Sequence, residues 1–317
     1  MKTFDEIYEE LQSSDNNELY NLWKEAKKEK DKSNKISGTI CLTIDIFAII
    51  LFLINGISLH SMITIMPRLV TIIIINLFTF VIVNIVFSKN TNNYNIRFKQ
   101  IVINKLMNNF YDKLEYFPNK EMPEYIYKKL KYEYYNIYKS EDYMEGTINN
   151  KYSIQMAEIL TQKEETDRDS QGRTKTRKIT KFHGLFAKIE MEKSIKSQLQ
   201  IMRNGTFFLD KRLKMDSSEF ESYFDVKASN EIIGMQILTP DVMEELVNFE
   251  NKTNMKYDIY IKENELYLRF HSEDMFESTN LRNGPLDKNS IRKYFYMLNF
   301  TYNLSNKLIK LIGNIEI

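Results

Sequence analysis

From Leu69 to Phe87 the chain runs without a charged residue, through four consecutive isoleucines and Phe78-Thr79-Phe80-Val81-Ile82-Val83, between Arg68 and Lys89. A helix rises about 1.5 Å per residue, so about 20 apolar residues span the hydrocarbon layer. The core helix of a soluble protein would show a polar stripe at every third or fourth position. Here only Asn76 and Asn84 bring in amides. A second stretch, Ile36 to Ile57, is interrupted only by Asp45. The two read as a transmembrane hairpin with spans at about 36–57 and 69–87. Asn55-Gly56 and Met66-Pro67-Arg68 supply turn material between them.

Orientation follows the cations. Lys24, Lys27, Lys28, Lys30, Lys32 and Lys35 precede the first span, and Lys89, Arg97 and Lys99 follow the second, whereas the connection holds only His60 and Arg68. Both termini are therefore expected on the cytoplasmic side of the inner membrane. The polar first 35 residues exclude a cleavable signal peptide, which would set its apolar stretch close to Met1.

Asp45 admits two readings. A carboxylate at mid-span costs about 2.5–3.5 kcal/mol on insertion scales and would mark a relay or polar glue between subunits. Alternatively, the span runs from Ile46 toward Met66 and leaves Asp45 at the interface.

The remaining chain is expected to be an α+β domain over 89–317, after a cytoplasmic amphipathic helical segment over 1–35. Leu19, Leu22, Trp23 and Ala26 fall at helical spacing, with Asp15 or a nearby serine as cap. Phe98 to Leu114 repeats the helical pattern, which Pro118 and Pro123 end. The tyrosine-dense "EYIYKKLKYEYYNIY" then suits a helix packed on a sheet.

From Tyr143 the period becomes two, with a hairpin at Asn149-Asn150 and a further strand after the polar loop "KEETDRDSQGRTK". Another strand is expected near Gln198–Met202. A short helix running into a strand at "SEFESYFDVKAS", two helical pieces about Thr239-Pro240, and a hairpin at Glu263-Asn264 follow. A helix from Asp287 to Leu311 closes a mainly antiparallel architecture.

Composition excludes much. A net charge of +1 argues against nucleic acid as a partner. The single cysteine, Cys41, precludes an internal disulfide, and His60, His183 and His271 lack ligand-like spacing. Neither phosphate-binding glycine motif occurs, so no cofactor and no metal are expected.

The ordered set "SEDYMEGTI", "DSQGRTK" leading into "KFHGLFAKIEMEKS", "FESYFDVKASNEIIGMQILTPDVMEEL" and "ELYLRFHSEDMFE" resembles a family of bacterial membrane proteins, number 3137 in the domain-of-unknown-function series. The resemblance runs from about Phe98 to Leu311 and implies two apolar spans ahead of the domain. It supplies no catalytic residue. Where the family usually has arginine before glycine-leucine-phenylalanine, this chain has His183.

Three groups could carry chemistry. Glu141, Asp142 and Glu145, with His183, are the candidates for acid-base work. Glu164, Glu165, Asp167 and Asp169 lack the calcium-loop pattern. Arg168, Arg173, Lys175, Arg177, Lys178 and Lys181 form a basic run suited to an anionic surface, against the plainer reading of an exposed loop balanced by its own acids. The chain thus reads as a two-span protein whose cytoplasmic domain binds a membrane-associated protein or anionic lipid. A membrane-anchored enzyme is the alternative, and a homo-oligomer is admitted.

Overall fold

The computed structural model describes residues 1–14, 16–54, 62–168, 174–204, 212–272, 275–278, 281–282 and 284–315. These form two compact units. One comprises Glu9–Phe98 with Ser278–Asp287, and the other Met1–Tyr8, Lys99–Glu277 and Lys288–Ile317.

The first unit is helical. After α1 (Phe4–Ser14) comes α2 (Asn16–Ile54), so the polar lysine-rich segment and the first apolar stretch form one continuous helix. Its partner α3 (Met62–Val86) runs back along it. Polar bonds fix the antiparallel register: Asn76 Nδ2 donates to Asp45 Oδ1 at 2.8 Å, and Lys30 Nζ donates to Asn84 Oδ1 at 2.6 Å. Met66-Pro67-Arg68 belongs to α3 rather than to the turn, while Asn55-Gly56 and His60 lie outside the described residues. Pro67 sits in the second helical turn, where its missing N–H forfeits only one bond near the helix start. Over Leu69–Val86, Val83 is buried, but Ile73, Ile74, Leu77, Phe78, Ile85 and Val86 all face outward. From α4 (Lys89–Phe98), Arg97 pairs with Glu18 and Tyr94 donates to the carbonyl of Pro285.

The second unit opens with a π-helical turn, Lys99–Ile103, and the short α5 (Asn104–Met107). The expected helix therefore stops well before Leu114. Asn108 and Asn109, poor helix formers, end it, and β1 (Asp112–Phe117) follows as a strand on the edge of β2 (Ile137–Ile148). α6 (Glu124–Lys128) lies between them in the chain.

β2 turns into β3 (Tyr152–Arg168) through Asn149 and Asn150, both left-handed at φ 54° and 51°, which is the conformation a tight hairpin requires. β3 then pairs with β4 (Thr174–Arg203) from Ile154↔Ile189 out to Arg168↔Thr174. Most of the expected polar loop is thus strand, and only 169–173 lies outside the described residues.

β6 (Lys256–His271) doubles back at Glu263-Asn264, as its alternation predicts. Eleven residues of extended chain would separate Asp258 from Arg269 by about 35 Å. Yet their side chains meet at 2.7 Å, and the Tyr260 and Tyr267 rings lie 6.1 Å apart. Glu263, at φ 55°, makes the reversal.

Gly184–Glu190 of β4 pair with the second arm of this hairpin and Gln198–Ile201 with the first. β4 must therefore wrap around the hairpin tip, where Asn264 Nδ2 bonds the carbonyl of Met191. Its last residues pair with β5 (Phe224–Ala228), entered from α7 (Ser218–Tyr223), whose N-cap is Ser217.

α8 (Glu231–Ile237), α9 (Pro240–Thr253) and α10 (Lys288–Asn314) complete the unit. Phe249 of α9 and Phe300 of α10 stack at 3.8 Å and pack on Tyr257 and Phe270 of the sheet. Tyr127 of α6 covers Phe182 and Phe186 from the opposite side. At the crossing of β4 and β6, Gly184 has φ +152°, and a Cβ there would sit 1.8 Å from the carbonyl oxygen of Phe270. Only glycine fits.

Candidate functional site

A charged cluster grows from a bulge in β2. The register with β3 slips between Glu141 and Met144, and the extra residue, Asp142, takes φ 55°. Bulges re-aim side chains, and this one drives a carboxylate into the interior, where the Asp142 side chain is fully buried. Lys99, at the start of the π-helical turn, meets it with Nζ 2.9 Å from Oδ2 and 3.2 Å from Oδ1. The same ammonium lies 2.6 Å from Glu277 and 4.0 Å from Glu141, and the Tyr116 hydroxyl donates to Asp142.

Burial lifts Asp142 to about 6 even though Lys99 and Tyr116 favour its charged form. Burial also opposes the charge on Lys99, but Asp142 and Glu277 override it and hold the ammonium well above the ordinary lysine range. Oxygens of Glu141, Asp142 and Glu277 lie within 4.8 Å of one another, a donor set that suits a hard cation. The Lys99 ammonium already stands among these three carboxylates and supplies the positive charge that such a set needs.

On the next strand, Glu158 lies directly opposite Glu141 and accepts or shares a proton with His183 Nε2 at 3.0 Å. Burial raises Glu158 to about 8, and neighbouring Asp142 and Glu141 push the same way. The Met275 N–H and Lys99 work against them. The Ser272 N–H donates to the His183 carbonyl, so the chain leaving β6 is tied to this patch at His183, Glu158 and Lys99. Glu141, Asp142 and His183, singled out from sequence, thus come together, joined by Lys99, Tyr116, Glu158 and Glu277. Glu145 stands apart, bonded to Lys120 and Tyr143.

A second network lies on the opposite face of the sheet. Arg269 is buried, bonding Asp258 through Nε and Nη2 and Glu133 and Tyr127 through Nη1. Its guanidinium sits 3.9 Å from the Tyr132 ring centre. His271 Nε2 lies 2.9 Å from the same Asp258 oxygen. Arg269 bonds through all three of its nitrogens, and Asp258, Glu133, Tyr127 and His271 each bond another member, which suits a structural clasp.

The basic run is strand, not loop. Lys175 faces Asp167, Arg177 faces Glu165 and Lys178 faces Glu164 across the β3–β4 ladder. Arg177 bonds Glu165 at 2.9 Å. Arg168 faces Thr174, Lys181 falls at the register shift, and Arg173 and Asp169 lie outside the described residues.

Asp45 lies level with the middle of α3, because Asn76 sits near the centre of Leu69–Val86. The alternative reading runs the first span from Ile46 toward Met66; Met66 lies in α3, and residues 55–61 fall outside the described residues.

Sequence reasoning missed Lys99, Tyr116, Glu158, Glu277 and the Arg269 network. One signal was available: Glu158 sits in "IQMAEIL", a strand apolar on both faces.

The sequence model of the family described as "Protein of unknown function (DUF3137)" matches residues 180–310, narrower than the resemblance from Phe98. No curated protein matches the chain. Among solved structures, the crystal structure of the mycobacterial trehalose monomycolate transport factor A, TtfA, is similar over 66% of this chain and 95% of that chain. Its identity is 7% and its TM-score 0.34.

Proposed function

The chain belongs, through residues 180–310, to the family of proteins of unknown function DUF3137, and from that premise we propose that it is a two-span inner-membrane protein displaying a binding domain. One observation carries the reading. α3 is apolar around its circumference and leaves Ile73, Leu77, Phe78, Ile85 and Val86 exposed, which water would penalise and a bilayer accepts. The lysines in the first half of α2 and the cations after α3 orient both termini to the cytoplasm. Anchoring the α+β unit at the bilayer raises its effective concentration toward a membrane-associated protein.

The charged cluster reads as internal ion pairing and does not favour the enzyme alternative. Lys99 is locked among carboxylates, and none of the described groups in the cluster pairs a nucleophile with a free base. A second reading, contact with anionic lipid, draws on the exposed β3–β4 arm, where cations outnumber acids.

The test is extraction and labelling. The full chain should resist alkaline carbonate. With Cys41→Ser as background, Ser58→Cys should react with an impermeant maleimide in intact spheroplasts, and Tyr125→Cys only after permeabilisation. Release by carbonate, or the reverse labelling, defeats the reading.

A further inference from the structure

The polar pair inside the hairpin is half satisfied. Asn76 uses one amide hydrogen on Asp45, but a side-chain amide has two. Asp45 remains exposed after accepting that single bond and has a second oxygen to offer. Both residues lie at the depth where lipid supplies neither donor nor acceptor.

Asp45 also has an exposed strip to itself. Leu42 and Ile49 lie on the same face at helical spacing and are 60% and 58% exposed. One turn beyond Leu42, Gly38 has no atom within 4 Å of where a Cβ would stand, so another backbone could approach there.

What would complete the pair must bring one acceptor and one donor at the same depth. A second copy of the chain does so by symmetry, since each copy carries the same spare amide hydrogen and the same spare carboxylate oxygen. A two-fold axis presents each to the other, the self-complementary arrangement of an isologous interface. We propose that two copies pair in the bilayer along the Leu42–Asp45–Ile49 strip, with Asn76 of each donating to Asp45 of the other. This rests on the membrane reading above and adds a partner to it.

The experiment is disulfide cross-linking of the full chain in proteoliposomes, again with Cys41→Ser as background. Leu42→Cys or Ile49→Cys should form an oxidised dimer. Phe78→Cys, on the far side of α3 from Asn76, should not. Adding Asp45→Leu should lower the cross-linked fraction on the order of tenfold, and Asp45→Asn less, because an amide still bonds. A Leu42→Cys and Ile49→Cys yield no higher than that of Phe78→Cys, in protein that still resists carbonate, overturns the pairing and leaves the membrane reading standing. An Asp45→Leu variant that dimerises undiminished also overturns it. Release of the parent protein by carbonate overturns both.

Discussion

Arg269 Nη2 lies 2.7 Å from Asp258 Oδ2 although eleven positions separate them on one continuous β element. The contact exists because the element reverses at Glu263, and it sits in a site where both partners are almost wholly buried. Removing one member of a buried ion pair strands the other's charge. Arg269→Met removes the guanidinium that Asp258 and Glu133 share and should cost about 3–5 kcal/mol of unfolding free energy. Arg269→Lys should recover little, since a lysine lacks the planar fork that bonds two carboxylates while lying on Tyr132. Urea denaturation of the full chain in detergent checks both, and a loss below about 1 kcal/mol for the Met variant would contradict the clasp.

Lys99 plays the same part on the other face. Lys99→Met should lower stability by about 3–5 kcal/mol, because Asp142 is then buried with Tyr116 and no cation. Asp142→Asn introduced into that variant should restore much of the loss, since the stranded charge goes with it. If the double variant is as unstable as Lys99→Met alone, lost packing rather than stranded charge explains the deficit.

Glu158 predicts a pH dependence. Its carboxyl titrates near 4.5 when free and at about 8 in the fold, so between those values the native state holds a proton that the unfolded chain releases. Stability from this group is complete below about 4.5 and is lost as pH rises toward 8. Asp142, raised from 3.8 to about 6, adds a decline of the same sign at lower pH. Unfolding free energy should therefore fall from pH 5 to pH 8. Glu158→Gln should flatten the part above about 6 while keeping the bond to His183. A slope unchanged in the variant would assign the decline to other groups.

How much of this was legible depends on the range of the signal. The hairpins at Asn149-Asn150 and Glu263-Asn264, and the helices split by Thr239-Pro240, rest on turn chemistry and period within a few residues, and each can be read directly. The end of the helix at Met107 was not legible. Phe110 and Leu114 continue its apolar spacing, and only the edge of β2 makes Asp112–Phe117 a strand. Gly184 is readable as a glycine but not as a crossing, since the atom it must avoid belongs to Phe270, far along the chain. The cluster failed for the same reason. Glu141 and Asp142 are conspicuous as a pair, but Lys99 and Glu277 reach them from distant segments, and the bulge that turns Asp142 inward depends on the register with β3.

Cations on the outer β3–β4 arm differ in how closely the described acids engage them. Arg177 is 59% exposed and already engaged with Glu165 and Asp167, so Arg177→Ala should change stability by less than about 1 kcal/mol. Lys175, Lys178 and Lys181 share the arm with fewer acids than cations, and each lysine near an anionic surface gains about 1 kcal/mol. Hydrogen exchange over 174–181 should therefore slow on nanodiscs containing phosphatidylserine compared with phosphatidylcholine alone. The protection should fade at high salt, where screening shortens to about 3 Å. The triple Lys175→Glu, Lys178→Glu, Lys181→Glu should abolish it without altering the unfolding midpoint. Equal exchange on both lipids would overturn the lipid-contact reading and show that the cross-strand acids already neutralise the arm.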